Sequence, residues 1–89
     1  MVKIEFFDLH YLRQYPQVLV NQLNHTGDVM YGKLYVFQLG RRVRLSFYCD
    51  LKKKVYHCEC YYYGSRSPFS TYTRNSFSEL RQTLFDSLL

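Results

Sequence analysis

Between Lys33 and Tyr63 apolar residues fall on every second position: Leu34 and Val36, then Val43, Leu45, Phe47 and Cys49, then Tyr56, Cys58, Cys60 and Tyr62. Successive side chains in a strand point to opposite faces, so alternation of this length predicts three antiparallel strands with one face turned to a core. Gly40-Arg41 suits a two-residue hairpin turn with glycine first, and Asp50-Leu51-Lys52-Lys53 suits a turn led by aspartate. With those turns Leu34 is expected opposite Phe47 and Val36 opposite Leu45. On the other side Phe47 is expected opposite Tyr56, Leu45 opposite Cys58 and Val43 opposite Cys60. Both turns place the apolar residues on one common face.

The flanks supply helices to cover that face. Met1 to Phe7 alternates Val2, Ile4 and Phe6 with Lys3, Glu5 and Phe7, the pattern of a short strand beside the meander or at its edge. Asp8 is placed to cap a helix beginning at Leu9 by accepting its unpaired N–H groups. Pro16 then interrupts, because proline is tolerated in a helix's first turn and costly inside it. The expectation is a break near Tyr15 and a second helical piece from Pro16 to Asn24, with Leu9, Leu12, Leu19 and Leu23 on one face. The β-branched Val18 and Val20 leave a strand over Gln17–Leu23 as the alternative. Asn24 to Asp28 reads as a loop. After the meander, Gly64 to Pro68 breaks the sheet, and Phe69 to Thr73 fits a fourth strand or an extended loop. Ser76-Phe77-Ser78-Glu79 is a capping box, followed by Phe77, Leu80, Leu84 and Leu88 at helical spacing. The expected fold is α+β in one small domain spanning residues 1–89: an antiparallel meander of three to five strands, a broken N-terminal helix and an amphipathic C-terminal helix.

Composition strengthens the β component. Ten Tyr and seven Phe favour strands, and the complete absence of Ala removes the best helix former. A net charge of +5 favours anionic partners: nucleic acid, an acidic protein surface or anionic lipid. Three Cys cannot all pair within the chain, which suits a reducing cytoplasm better than secretion. The charged opening MVKIEFFDLH lacks the apolar stretch of a leader, and no apolar run approaches membrane-spanning length, so no membrane association is expected.

The remaining question is the meander's other face. The expected register turns Lys33, Tyr35 and Phe37 outward on the first strand, and Arg42, Arg44, Ser46 and Tyr48 on the second. His57, Glu59, Tyr61 and Tyr63 face outward on the third, with Arg44 expected opposite Glu59 as an ion pair and Ser46 opposite His57. Cations beside flat rings are what single-stranded RNA or DNA needs, the cations for phosphates and the rings for stacking bases. On this reading Lys33, Tyr35, Phe37, Arg42, Arg44, Tyr48, His57, Tyr61 and Tyr63 form a nucleic-acid-binding face. Two other occupants fit the same residues: a helix of the chain itself, making the rings a second core, or an acidic protein partner, for which a tyrosine-rich face is a binding hot spot. The last would make the chain an accessory or inhibitor protein, of the kind viruses and mobile elements carry. Cys49, His57, Cys58 and Cys60 resemble a zinc set only at first sight. His57 alternates away from Cys58 and Cys60, Cys49 lies farther along the sheet, and small buried thiols account for the three cysteines. No metal or other cofactor is expected.

The run RRVRLSFYCDLKKKVYHCECYYYGSRSP resembles the sheet of RelE/HigB-like toxins, through Arg44, Phe47, Asp50, the strand end Tyr61-Tyr62-Tyr63, Ser65, Arg66 and Pro68. The opening MVKIEF is similar to that family's first strand. The chain departs from the pattern at Pro16, within a shortened helical segment, and at Tyr63-Gly64, where the family has lysines. The resemblance implies ribosome-dependent mRNA cleavage, with Arg44 as a phosphate clamp. For such an enzyme, the outward positions of His57 and Glu59 make them the candidate proton carriers.

Overall fold

The computed structural model describes residues 4–89. Its centre is an antiparallel meander of three strands, β3 (Val29–Gln38), β4 (Arg41–Asp50) and β5 (Val55–Tyr62). Before them come β1 (Phe7–Asp8) and β2 (Asn24–Thr26), and after them β6 (Ser70–Arg74). Together they form a six-stranded sheet in the order β1-β3-β4-β5-β6, with β2 pairing the same edge of β3 as β1. The sheet is larger than the three to five strands expected. It is also not wholly antiparallel, since β1 runs parallel to β3, with Phe7 beside Val36 and Asp8 beside Phe37.

The meander keeps the predicted faces in a different register. Leu34 lies opposite Leu45 and Val36 opposite Val43, so the turn is Leu39-Gly40 rather than Gly40-Arg41. Both turn residues have positive φ, 49° at Leu39 and 77° at Gly40, the conformation of a type I′ hairpin turn. On the other side Phe47 lies opposite Cys58, Leu45 opposite Cys60 and Cys49 opposite Tyr56. The loop there runs over residues 51–54, with the Asp50 carboxylate accepting from the Lys53 N–H at 2.9 Å. Each correction is a slip of two positions. A slip of two preserves which side chains face inward, and it lengthens the β3–β4 ladder to Val29 opposite Asp50.

The expected N-terminal strand is displaced. Its first three positions lie outside the described residues, Ile4 to Phe6 form no strand, and pairing begins only at Phe7. The loop expected over Asn24 to Asp28 is instead a tight hairpin, with Thr26 opposite Val29 and Gly27 at φ 58° in the turn. Gln17 to Asn21 is helical, not a strand. α1 (Leu9–Gln14) is capped by the Asp8 carboxylate, which accepts from the N–H groups of His10 and Tyr11, and α2 starts at Pro16 and runs to Asn21. α3 (Phe77–Leu88) is capped by the Ser76 hydroxyl, which accepts from the Glu79 N–H at 3.1 Å.

All three helices lie on one side of the sheet. Leu9, Leu12, Leu19 and Leu23 from the N-terminal segment and Leu80, Leu84, Phe85 and Leu88 from α3 share one core with Leu34, Val36, Val43, Leu45, Phe47 and the three cysteines. Each fully buried leucine contributes roughly 1.5–3 kcal/mol relative to exposure. Tyr62, expected in this core, is instead 39% exposed and stacked on Phe69 with ring centroids 4.3 Å apart. No helix among the described residues is long and apolar enough to cross a membrane.

Candidate functional site

With every helix on one side, the sheet's other face is left open among the described residues, which decides against a second core beneath the chain's own helices. It carries all nine residues of the predicted nucleic-acid face. Cross-strand pairing sorts them into rows: Phe37 opposite Arg42, then Tyr35–Arg44–Tyr61, Lys33–Ser46–Glu59–Thr71, and Tyr31–Tyr48–His57–Thr73. Tyr63 follows the end of β5, held in line by its N–H donating to the Arg42 carbonyl at 2.9 Å.

At one end the face is an aromatic cluster. Phe6 packs on Tyr35, Phe37 and Tyr63 with ring centroids 5.5, 5.1 and 5.5 Å apart, mostly edge to face. Arg42 places its guanidinium 5.3 Å from the Phe6 ring and 5.9 Å from the Tyr63 ring. Electrostatic attraction to a ring face holds a cation there without neutralising it.

The middle of the face is a polar chain along β5. Arg44 lies over the Tyr61 ring, 4.3 Å from its centroid, rather than opposite Glu59 as expected. The Arg44 Nε–H is buried without a protein partner. Glu59 faces Ser46 across the strands and bonds along its own strand instead. The Tyr61 hydroxyl donates to its carboxylate, and His57 Nε2 lies 3.4 Å from its other oxygen. His57, expected opposite Ser46, lies opposite Tyr48, and its Nδ1 sits 2.8 Å from the Thr73 hydroxyl. The Tyr61 bond, with help from His57, holds the Glu59 carboxyl below the ordinary carboxylate range, and the same bond raises the Tyr61 phenol above its usual value.

At the far end Tyr31, Tyr48 and Lys33 border an open groove of about 510 Å³, with Ser46, Thr26 and Val29 completing its lining beside the backbone of Gly32 and Phe47. Of the seven acidic residues, only Glu59 interrupts the middle rows. Glu5 is exposed ahead of β1, Asp8 caps α1, Asp28 lies in the β2–β3 turn, Asp50 leads the turn after β4, and Glu79 and Asp86 lie on α3.

The candidate proton carriers His57 and Glu59 are therefore adjacent, with Arg44 one row away and turned onto Tyr61. The cysteines lie on the opposite face from His57. Cys49, Cys58 and Cys60 are free and fully buried, and burial pushes the Cys49 and Cys58 thiols above their ordinary value. Among the described residues no three His, Cys, Asp or Glu side chains are grouped to hold a metal ion.

Sequence reasoning missed several residues of this face, among them Tyr31, Phe6 and the β6 residues Thr71 and Thr73. Tyr31 continues the alternation upstream of Lys33 and was legible there, since Val29, Tyr31 and Lys33 share a parity. Phe6 was not legible, because its placement depends on where the parallel pairing of β1 starts. No protein-family model matches the chain, and neither a search of curated proteins nor one of solved structures finds a match.

Proposed function

We propose that this protein binds single-stranded RNA or DNA on the open face of its sheet. One observation carries the reading: Arg42 and Arg44 are each held against aromatic rings on a face that no helix covers among the described residues. Arginine stacked on a ring keeps its charge and a fixed orientation, so phosphates and bases meet a preorganised cationic surface. The net charge of +5 and the three cations Lys33, Arg42 and Arg44 against one carboxylate on these rows give the face the sign a phosphate chain requires.

The local chemistry favours binding over cleavage. A proton carrier works best with a pKa near the working pH, whereas the Tyr61 bond keeps Glu59 ionised and occupied. An acidic protein partner would meet the same cations. It is distinguished by stable co-purification of one partner without affinity for nucleic acid.

The test is fluorescence anisotropy of a labelled single-stranded oligonucleotide titrated with the protein at several salt concentrations. Affinity is expected to fall steeply with salt, and Arg44→Ala or Arg42→Ala each to reduce the slope of log affinity against log salt by about one. Salt-insensitive binding, or a slope unchanged in both variants, would sink the proposal. Growth arrest on expression that His57→Ala or Glu59→Ala relieves would instead support the ribonuclease reading.

A further inference from the structure

The three parts of the open face are not equally free to receive a ligand. In the aromatic cluster Phe6, Tyr35, Phe37 and Tyr63 pack on one another, and Arg42 already lies against two of the rings. Along β5, Tyr61 is covered by Arg44, and Glu59 is bonded on both sides. The groove end differs. Tyr31 and Tyr48 rise from directly opposed positions, are 41% and 57% exposed, and no ring contact joins them to each other or to another aromatic residue described. Lys33 beside them has no ion pair, hydrogen bond or aromatic partner among the described residues. Ser46, opposite Lys33, is the smallest outward side chain of β4, and its size opens the groove between the tyrosines and the lysine.

We infer that this groove is a nucleotide subsite, in which one base of a bound strand stacks on Tyr31 and Tyr48 and the adjoining phosphate pairs with Lys33. The inference rests on the nucleic-acid reading of the open face and assigns that reading a location. A volume of about 510 Å³ lies within the roughly 300–1,000 Å³ of small-ligand sites and has room for a nucleotide. Unused ring faces provide the stacking surface, and every base has a π-face, so the site accepts purines and pyrimidines alike. The hydroxyls of Ser46 and Thr26 both donate and accept, and they can meet a base edge without selecting one base. Lys33 is a point charge on a flexible stem, which suits a phosphate whose position shifts from base to base. The rings already packed at the other end would then orient the strand rather than hold a base.

The experiment pairs two ligands on the full chain. Adenosine 5′-monophosphate is followed by amide chemical shifts, and a labelled single-stranded oligonucleotide by anisotropy. The mononucleotide is expected to shift Gly32, Lys33, Phe47 and Tyr48 and to leave Arg42 and Tyr63 unmoved. Tyr48→Ala is expected to weaken oligonucleotide binding about tenfold or more, the loss expected for a stacked base. Ser46→Phe, which fills the groove, should do the same. Tyr48 is exposed, so its variant keeps the test valid if Ser46→Phe fails to fold. If the oligonucleotide binds the wild type and both variants equally, the subsite is wrong while the open-face reading stands. Shifts confined to the groove without oligonucleotide affinity would overturn the strand-binding reading and the subsite with it, leaving a site for a free mononucleotide. Absence of both responses overturns both.

Discussion

Leu39 occupies a backbone conformation better suited to asparagine or glycine. Its φ of 49° belongs to the left-handed region, where a leucine Cβ crowds the following carbonyl, and its side chain is 90% exposed and gains nothing from burial. Leu39→Asn should therefore stabilise the fold by about 1 kcal/mol, read as a higher urea midpoint with an unchanged slope. Tyr61 is a second position where one atom has a measurable effect. Tyr61→Phe removes the hydroxyl that bonds Glu59, so the Glu59 carboxyl should titrate at a higher pH, closer to the usual carboxylate value, in a side-chain NMR titration. The direction for stability follows from the depressed carboxyl. Its contribution is present above the ordinary carboxylate pKa and is lost as pH falls through the lower value of the folded state. Because 37% of the Glu59 side chain is exposed to solvent, the effect on overall stability is small, and the titration is the sensitive readout.

At the scale of elements, the helices and the division of the sheet's faces were legible and the turns were not. Asp8, Pro16 and Ser76 mark helix starts through local hydrogen-bonding needs, and those needs do not depend on the rest of the fold. Alternation likewise settles which residues of β3, β4 and β5 face inward. It cannot separate registers two apart, because both present the same faces, and the preference for glycine at the first turn position pointed to Gly40-Arg41 over the observed Leu39-Gly40. The parallel pairing of β1 depends on a long-range contact that a two-residue strand does not announce. The nine residues of the candidate face were legible because they depend only on parity, whereas the partners of Arg44, Glu59 and His57 depend on register and came out differently. Within β3, Gly32 lets the strand pass close beneath Leu23. It has φ 152°, and a Cβ there would lie 3.2 Å from Leu23 Cδ2 and 3.5 Å from the Leu23 Cα. Gly32→Ala is expected to cost about 1–3 kcal/mol through overpacking, with a lower urea midpoint as the check.

At the scale of the whole molecule, the sheet divides two tasks between its surfaces, with helices and thiols on one side and Lys33, Arg42, Arg44 and the tyrosines beside them on the other. The same strands serve both, since β4 sends Val43, Leu45, Phe47 and Cys49 inward and Arg42, Arg44, Ser46 and Tyr48 outward. A ligand seated on the open face therefore touches none of the helices and still favours the folded sheet, by an amount that grows with its concentration relative to its dissociation constant. The three buried cysteines turn that coupling into a clock. Cys49, Cys58 and Cys60 sit at the centre of the sheet with no measurable exposure, so a thiol reagent reaches them only when the core opens. When reclosing is faster than labelling, the labelling rate reports the fraction of open molecules. An oligonucleotide at a hundred times its dissociation constant should slow it by about a hundredfold if the open form does not bind. A chain without tryptophan thus carries its own reporter of occupancy, read from the side of the sheet that the ligand never touches.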